Sequence, residues 1–315
     1  GRTLKGFMES TKPAGKAPKL ETLVERMLSE DPVKRGSAAE AAEDEAFAGV
    51  NGSATAAPSA EESRHGISPP SYWSFQQLDR PFHVVAPSRY MKDWIEQALH
   101  ASDHCSALAR FRVASVRRIE TQWLWMSYAS KRERARAQVR RLGERPSALS
   151  PKSPPPLAVL DEEVNEVYLW HGCPAESVQP IVQDGFDERL AYRNCLYGTG
   201  SYFTPQACKA MQYARAKGCT YTSKRCGSFI CACPGPKYIL CCRVCLGFPF
   251  YASGPMKGTR RPPKREATGG GALYDSVVAN PGVPKGQGKA QEHRECVVWN
   301  HAGVQAYAEF MVEIQ

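Results

Sequence analysis

The feature that most constrains the fold is residues 237–247, where Tyr238, Leu240, Cys242, Val244 and Leu246 alternate with Ile239, Cys241, Arg243 and Cys245. Strict alternation is the two-residue period of a β-strand, and here both faces are largely apolar. Such a strand is stable only where it is covered on both sides, so it is expected at the centre of a sheet. Two closing strands are expected near the C-terminus. One is residues 295–299, and the other residues 306–314, with Ala306, Ala308, Phe310, Val312 and Ile314 facing one way and Glu309 and Glu313 the other.

Upstream, Tyr168-Leu169-Trp170-His171-Gly172 reads as an apolar strand ending on a His-Gly pair. A glycine there lets the backbone approach a ligand because no Cβ intervenes. Residues 176–183, closed by Gly185, read as a helix. Gly198-Thr199-Gly200-Ser201-Tyr202-Phe203 suits a tight turn that delivers a tyrosine ring to a cleft, and residues 207–216, which include Tyr213, read as another helix. Further upstream, Ser88 suits the N-cap of a helix whose Met91, Trp94, Ile95, Ala98 and Leu99 recur at helical spacing. Residues 110–119 follow as a strand, and Leu124, Trp125 and Tyr128 open a helix that runs into the basic stretch 131–145. Residues 146–158 and 282–291 are expected to be loops, and the basic Gly/Pro-rich stretch 254–271 a mobile one.

In this order and at these separations the pieces resemble the catalytic domain of the poly(ADP-ribose) polymerase family, the diphtheria-toxin-like ADP-ribosyltransferases. The resemblance runs from about residue 74 to residue 315. It implies an α+β ADP-ribosyltransferase fold, with two largely antiparallel sheets around an NAD+ cleft and flanking helices. The family's His, Tyr and Glu fall on His171, Tyr202 and Glu295. The resemblance then implies that Glu295 polarises the nicotinamide-ribose 2′-hydroxyl, that His171 binds the adenosine-ribose, and that Gly172 offers its backbone to the carboxamide. It further implies that Tyr202 and Tyr213 sandwich the nicotinamide ring. Read without it, each tyrosine is a core residue and His171 a strand-end histidine. One position departs from the pattern. The family places a serine hydroxyl where this chain has Ala210, so weaker NAD+ binding is expected, with Ser201 or a water as the substitute. The implied activity is ADP-ribose transfer to a protein acceptor, the chain itself included. Mono-transfer is favoured because residues 187–196 form a short loop and no regulatory four-helix bundle fits the chain. The alternative is a weak or inactive binding module.

Of the 12 cysteines, Cys219, Cys226, Cys231, Cys233, Cys241, Cys242 and Cys245 crowd one region. The chain is too large for a secreted disulfide scaffold and has no secretory signal, so reduced thiols in the cytoplasm or nucleus are expected. Cys219, Cys226, Cys231 and Cys233 are candidate ligands for a structural zinc, as in the tankyrase branch, although that branch uses a tighter set of three Cys and one His. Loop thiols are the competing reading, and Cys241, Cys242 and Cys245 read as buried small hydrophobes. The formal charge of +9 is modest and concentrated in residues 131–145, which suits a solvated helix face better than a nucleic-acid site. No run of about 20 apolar residues spans a membrane.

Residues 1–47 include a helical piece in which Leu23, Val24, Met27 and Leu28 share a face. Asp31-Pro32 and Arg35 resemble the end of a protein-kinase C-terminal lobe, so a kinase domain is expected upstream in the same polypeptide. The start at Gly1 rather than Met fits a piece of something longer. Residues 48–71 have the composition of a disordered linker, and residues 72–315 are expected to form the transferase domain.

Overall fold

The computed structural model describes residues 68–70, 72–74, 82–103, 108–109, 111–147, 160–191, 195–219, 230–265, 272–279, 293–300 and 304–315. The kinase-like piece, most of the linker and the loop at 282–291 lie outside the described residues.

The strand expected at the centre is central. β5 (Lys237–Cys245) lies between β3 (Glu166–Cys173) and β9 (Ala306–Ile314). With β2 (Val113–Glu120) and β1 (His83–Val85) they make a five-stranded antiparallel sheet in the order β1-β2-β9-β5-β3. The alternation along β5 sorts its side chains into two cores. Ile239 and Cys241 pack with Trp94, Ile95, Ala98 and Leu99 of α1 (Arg89–Ala101). Leu240, Cys242 and Val244 face Val178 and Val182 of α3 (Ala175–Asp184), together with Phe186 and Phe203. Fully burying an aliphatic side chain stabilises a fold by about 1.5–3 kcal/mol, so a strand doubly covered in this way anchors the sheet.

The helix ends follow local chemistry. The hydroxyl of Ser88 accepts the amide N–H of Met91 at 3.3 Å, capping α1, and the hydroxyl of Ser102 closes its other end by donating to the carbonyl of Ala98. The long basic helix α2 (Gln122–Leu142) buries Leu124, Trp125, Tyr128 and Val139 and stops at Gly143, whose φ of 65° is the left-handed end that glycine permits.

A second sheet runs β4-β8-β7-β6, formed by β4 (Ser201–Phe203), β8 (Glu295–Val298), β7 (Ser276–Ala279) and β6 (Pro249–Ala252). Only β6 and β7 pair in parallel. The two sheets are stitched by Trp170 and Thr204, each amide donating to the other's carbonyl at 2.8 and 3.0 Å.

Three expectations are revised. The helix expected over 207–216 is only α4 (Ala207–Met211), because the chain then turns so that Arg215 bridges Pro174, with the amide of Ala175 donating to the Arg215 carbonyl. Tyr213 therefore sits in a turn rather than on a helix. The single apolar face expected along β9 is split, with Ala306 and Ala308 in one core and Phe310, Val312 and Ile314 in the other, because the pairing with β5 shifts register at Glu309. Glu309 is fully buried and accepts the hydroxyls of Tyr168, at 2.8 Å, and Tyr72. The described part of the basic loop is fastened down rather than free, through Met256 N–H to the Leu196 carbonyl at 2.7 Å and Thr199 N–H to the Thr259 carbonyl at 2.8 Å.

Beside α2 lies a buried ionic cluster. Glu166 meets Arg243 at 3.1 Å and Arg132 at 3.3 Å, and accepts the Tyr128 hydroxyl at 2.8 Å. The Arg243 guanidinium also lies 5.2 Å from the ring of Trp125. Burial alone would raise the Glu166 carboxyl. Arg243 and then Arg132, with the Asp161 amide and the Tyr128 hydroxyl, overcome that and hold it below the usual carboxylate range.

Candidate active site

His171 is the third residue from the end of β3, opposite Leu240. Its Nδ1 lies 2.8 Å from the backbone carbonyl of Tyr202. A carbonyl only accepts, so Nδ1 carries the proton. Burial then pushes the ring's pKa down to about 4, against the weaker opposing effect of that hydrogen bond. The ring is therefore neutral at pH 7, and its Nε2 is an acceptor. Phe186 and Phe203 hold it edge-on and tilted, at 4.9 and 5.4 Å between ring centres.

Gly172 follows because α4 lies directly on it. A Cβ at this position would sit 1.8 Å from the carbonyl oxygen of Ala210. That clash is with backbone, which cannot rotate away. Gly172→Ala is expected to push α4 off β3 and to lower the melting temperature by several degrees. Thermal unfolding of the variant beside the wild type measures this.

Tyr202 is fixed through its hydroxyl, which donates to the Gly198 carbonyl at 2.8 Å and accepts the Tyr197 amide at 2.9 Å. Burial foremost, then the neighbouring Cys195, Glu295 and Tyr213, push that hydroxyl's pKa well up, so the ring stays neutral. Strand alternation puts Ser201 on the opposite face of β4 from Tyr202, so it offers no hydroxyl beside that ring. Ala210 is 2% exposed and packs with Trp170 and Met211.

Glu295 opens β8 opposite Ala279 and is mostly buried. Its Oε1 lies 3.2 Å from Nζ of Lys209, which also stands 5.2 Å from the centre of the half-exposed Tyr213 ring. Burial alone would lower the Lys209 pKa, but Glu295 and Tyr213 outweigh it and hold the ammonium charged. The entry to β8 is tied to α4, with the Arg294 amide donating to Oε1 of Gln206 at 3.2 Å and His293 Nε2 lying 3.4 Å from the Cys208 thiol. Thus His171 and Tyr202 are joined through a backbone carbonyl, and Lys209 connects Tyr213 to Glu295. Lys209 was not legible as a site residue. Its one signal is its position four residues before Tyr213, and a lysine on an α-turn is usually solvated.

Past Tyr213, the sulfurs of Cys219, Cys231 and Cys233 lie within 4.8 Å of one another, with Cys219 and Cys231 at 3.5 Å. Cys226 lies outside the described residues. Four thiolates around zinc at about 2.3 Å stand about 3.8 Å apart, so the donor chemistry and spacing of these three fit that ion. Cys241, Cys242 and Cys245 are packed in the core, and burial raises all three thiols well above their ordinary pKa, as suits inert small hydrophobes.

Two sheets meeting at a His-Gly strand, with a buried carboxylate opening the strand beside the tyrosine strand, define an α+β ADP-ribosyltransferase-type domain. Residues 92–313 match the family model described as the poly(ADP-ribose) polymerase catalytic domain, and the chain belongs to that family. Catalytic domains of this family are NAD+-dependent ADP-ribosyltransferases, glycosyl-class transferases with NAD+ as substrate. No helix among the described residues is long and apolar enough to cross a membrane.

Proposed function

We propose that this chain cleaves NAD+ and transfers single ADP-ribose units to protein side chains, its own included. The observation that carries this reading is the grouping of His171, Tyr202, Lys209, Tyr213 and Glu295 along the seam between the sheets. In this reading Nε2 of neutral His171 accepts the adenosine-ribose hydroxyl, and the Gly172 backbone meets the carboxamide. The rings of Tyr202 and Tyr213 flank the cationic nicotinamide. The C1′–N bond breaks with its electron pair passing to the pyridinium nitrogen, and neutral nicotinamide leaves. The sugar acquires oxocarbenium character, which the carboxylate of Glu295 stabilises while it accepts the 2′-hydroxyl proton in a hydrogen bond. The acceptor atom then bonds to C1′ and loses its proton.

Single transfer is supported by the short 187–196 loop and by the chain ahead of β3, where α1 and α2 are the α-helices among the described residues. A kinase domain upstream is part of the same proposal and rests on residues 31–35. A second reading, a module that holds NAD+ without transferring, is favoured by Ala210 alone. Labelled NAD+ with the full chain, followed by mass spectrometry of the modified sites, separates them. Single ADP-ribose adducts support transfer, and the absence of label in any product overturns it.

Zinc held by Cys219, Cys231 and Cys233, with Cys226 as fourth ligand, would act structurally by bracing the segment after Tyr213. Elemental analysis of purified protein should then give one zinc per chain, and Cys231→Ser should lose it. Metal-free protein with an unchanged melting temperature would leave these as loop thiols.

A further inference from the structure

The loop between β6 and β7 is a strongly charged surface that the transfer chemistry leaves without a role. Residues 253–265 contain Lys257, Arg260, Arg261, Lys264 and Arg265 and no acid. Arg265 turns inward, pairs with Glu144 at 3.0 Å and lies over the ring of Phe248. Lys257, Arg260, Arg261 and Lys264 are exposed and form no ion pair among the described residues. Repulsion among like charges would spread a free loop into solvent. This one is held in place instead, by the Met256–Leu196 and Thr199–Thr259 backbone bonds, by Arg265 N–H to the Ala272 carbonyl at 2.8 Å, and by Tyr274 N–H to the Pro263 carbonyl at 2.9 Å. Pro255, Pro262 and Pro263 stiffen it further.

Its position is also defined. Thr259 O lies against Gly198, where a Cβ would meet it at 2.9 Å, and the Gly198 carbonyl receives the Tyr202 hydroxyl. The cations at 260 and 261 therefore follow directly on the residue that backs the turn behind Tyr202. Fixed positive charge near a site raises the local concentration of a complementary ligand and orients it.

We propose that this loop is a docking platform for an acidic stretch flanking the modified residue of the acceptor polypeptide. The proposal rests on the transferase reading and names the acceptor class that the reading leaves open. An extended polypeptide suits the geometry better than a nucleic acid. Residues 253–265 hold no aromatic side chain on which bases could stack, and their few cations would neutralise too few phosphates for tight binding. An extended peptide, in contrast, lays a carboxylate beside each cation while one side chain enters towards Glu295.

The test uses the full chain, a fluorescein-labelled Glu-rich peptide and its Gln-for-Glu counterpart, read by anisotropy. The wild type should bind the Glu-rich peptide about tenfold more tightly than the counterpart. Lys257→Glu/Arg260→Glu/Arg261→Glu should abolish the preference, and the triple Gln variant should reduce it, while NAD+ hydrolysis and melting temperature stay unchanged. Equal binding of the two peptides by the wild type overturns the proposal, as does a preference that survives charge reversal. Displacement of the peptide by a single-stranded oligonucleotide of equal charge at much lower concentration also overturns it, in favour of nucleic acid. Binding reads the platform and hydrolysis reads the transferase, so the two ideas fail separately.

Discussion

Glu295→Gln is expected to lower the rate of ADP-ribose transfer by about 10²–10³-fold, the cost of removing one well-placed electrostatic group from a transition state. The substitution keeps the shape of the side chain and removes its charge. The charge matters most when the sugar becomes cationic, so kcat should fall while KM for NAD+ changes by only a few-fold. Stability should change little. Lys209 keeps partial solvent access and its contact with the Tyr213 ring, so the variant leaves no fully buried lone cation. Measured kcat and KM for NAD+ hydrolysis and for automodification check both halves. A drop in affinity with an unchanged turnover would assign Glu295 to substrate binding instead.

The second large effect concerns the fold. Glu166→Gln leaves Arg243, 3% exposed, without its principal counter-ion. Breaking one side of a buried ion pair costs about 3–5 kcal/mol, and Glu309 nearby offsets part of it, so about 3 kcal/mol is expected. For a domain of this size that is a fall in melting temperature of about 6–12 °C.

The pH dependence has a definite sign. The folded-state pKa of Glu166 lies below its ordinary value of 4.5. Its contribution is therefore complete above that value and disappears as pH falls through the folded pKa. The gap between wild type and Glu166→Gln should be widest near neutrality and close in acid. A gap that instead widened on acidification would contradict the ion-pair account.

Much of the fold was legible because its elements advertise themselves locally. β5 shows in its alternation, α1 in Ser88 and its apolar spacing, and α2 in Leu124, Trp125 and Tyr128. β1, β6 and β7 did not show. Each is three or four residues long, and β6 begins with Pro249, so what makes them strands is pairing with distant chain rather than their own pattern. The end of α4 escaped for a similar reason, since the Arg215–Pro174 bridge is a long-range bond. The split of β9 escaped because alternation assumes an unbroken register and does not report the shift at Glu309. The tyrosines that satisfy it, Tyr72 and Tyr168, are remote in sequence. At the site, His171, Tyr202, Tyr213 and Glu295 each resemble ordinary core or strand residues, and only their joint order was informative. Lys209 became visible through its partners.

The reciprocal amide bonds between Trp170 and Thr204 fasten the end of β4 to β3, so the two sheets are tied where His171 and Tyr202 stand side by side. Relative movement of the two sheets at this point would have to break both bonds. Amide protons of both residues should accordingly be among the last to exchange with deuterated solvent, with or without NAD+.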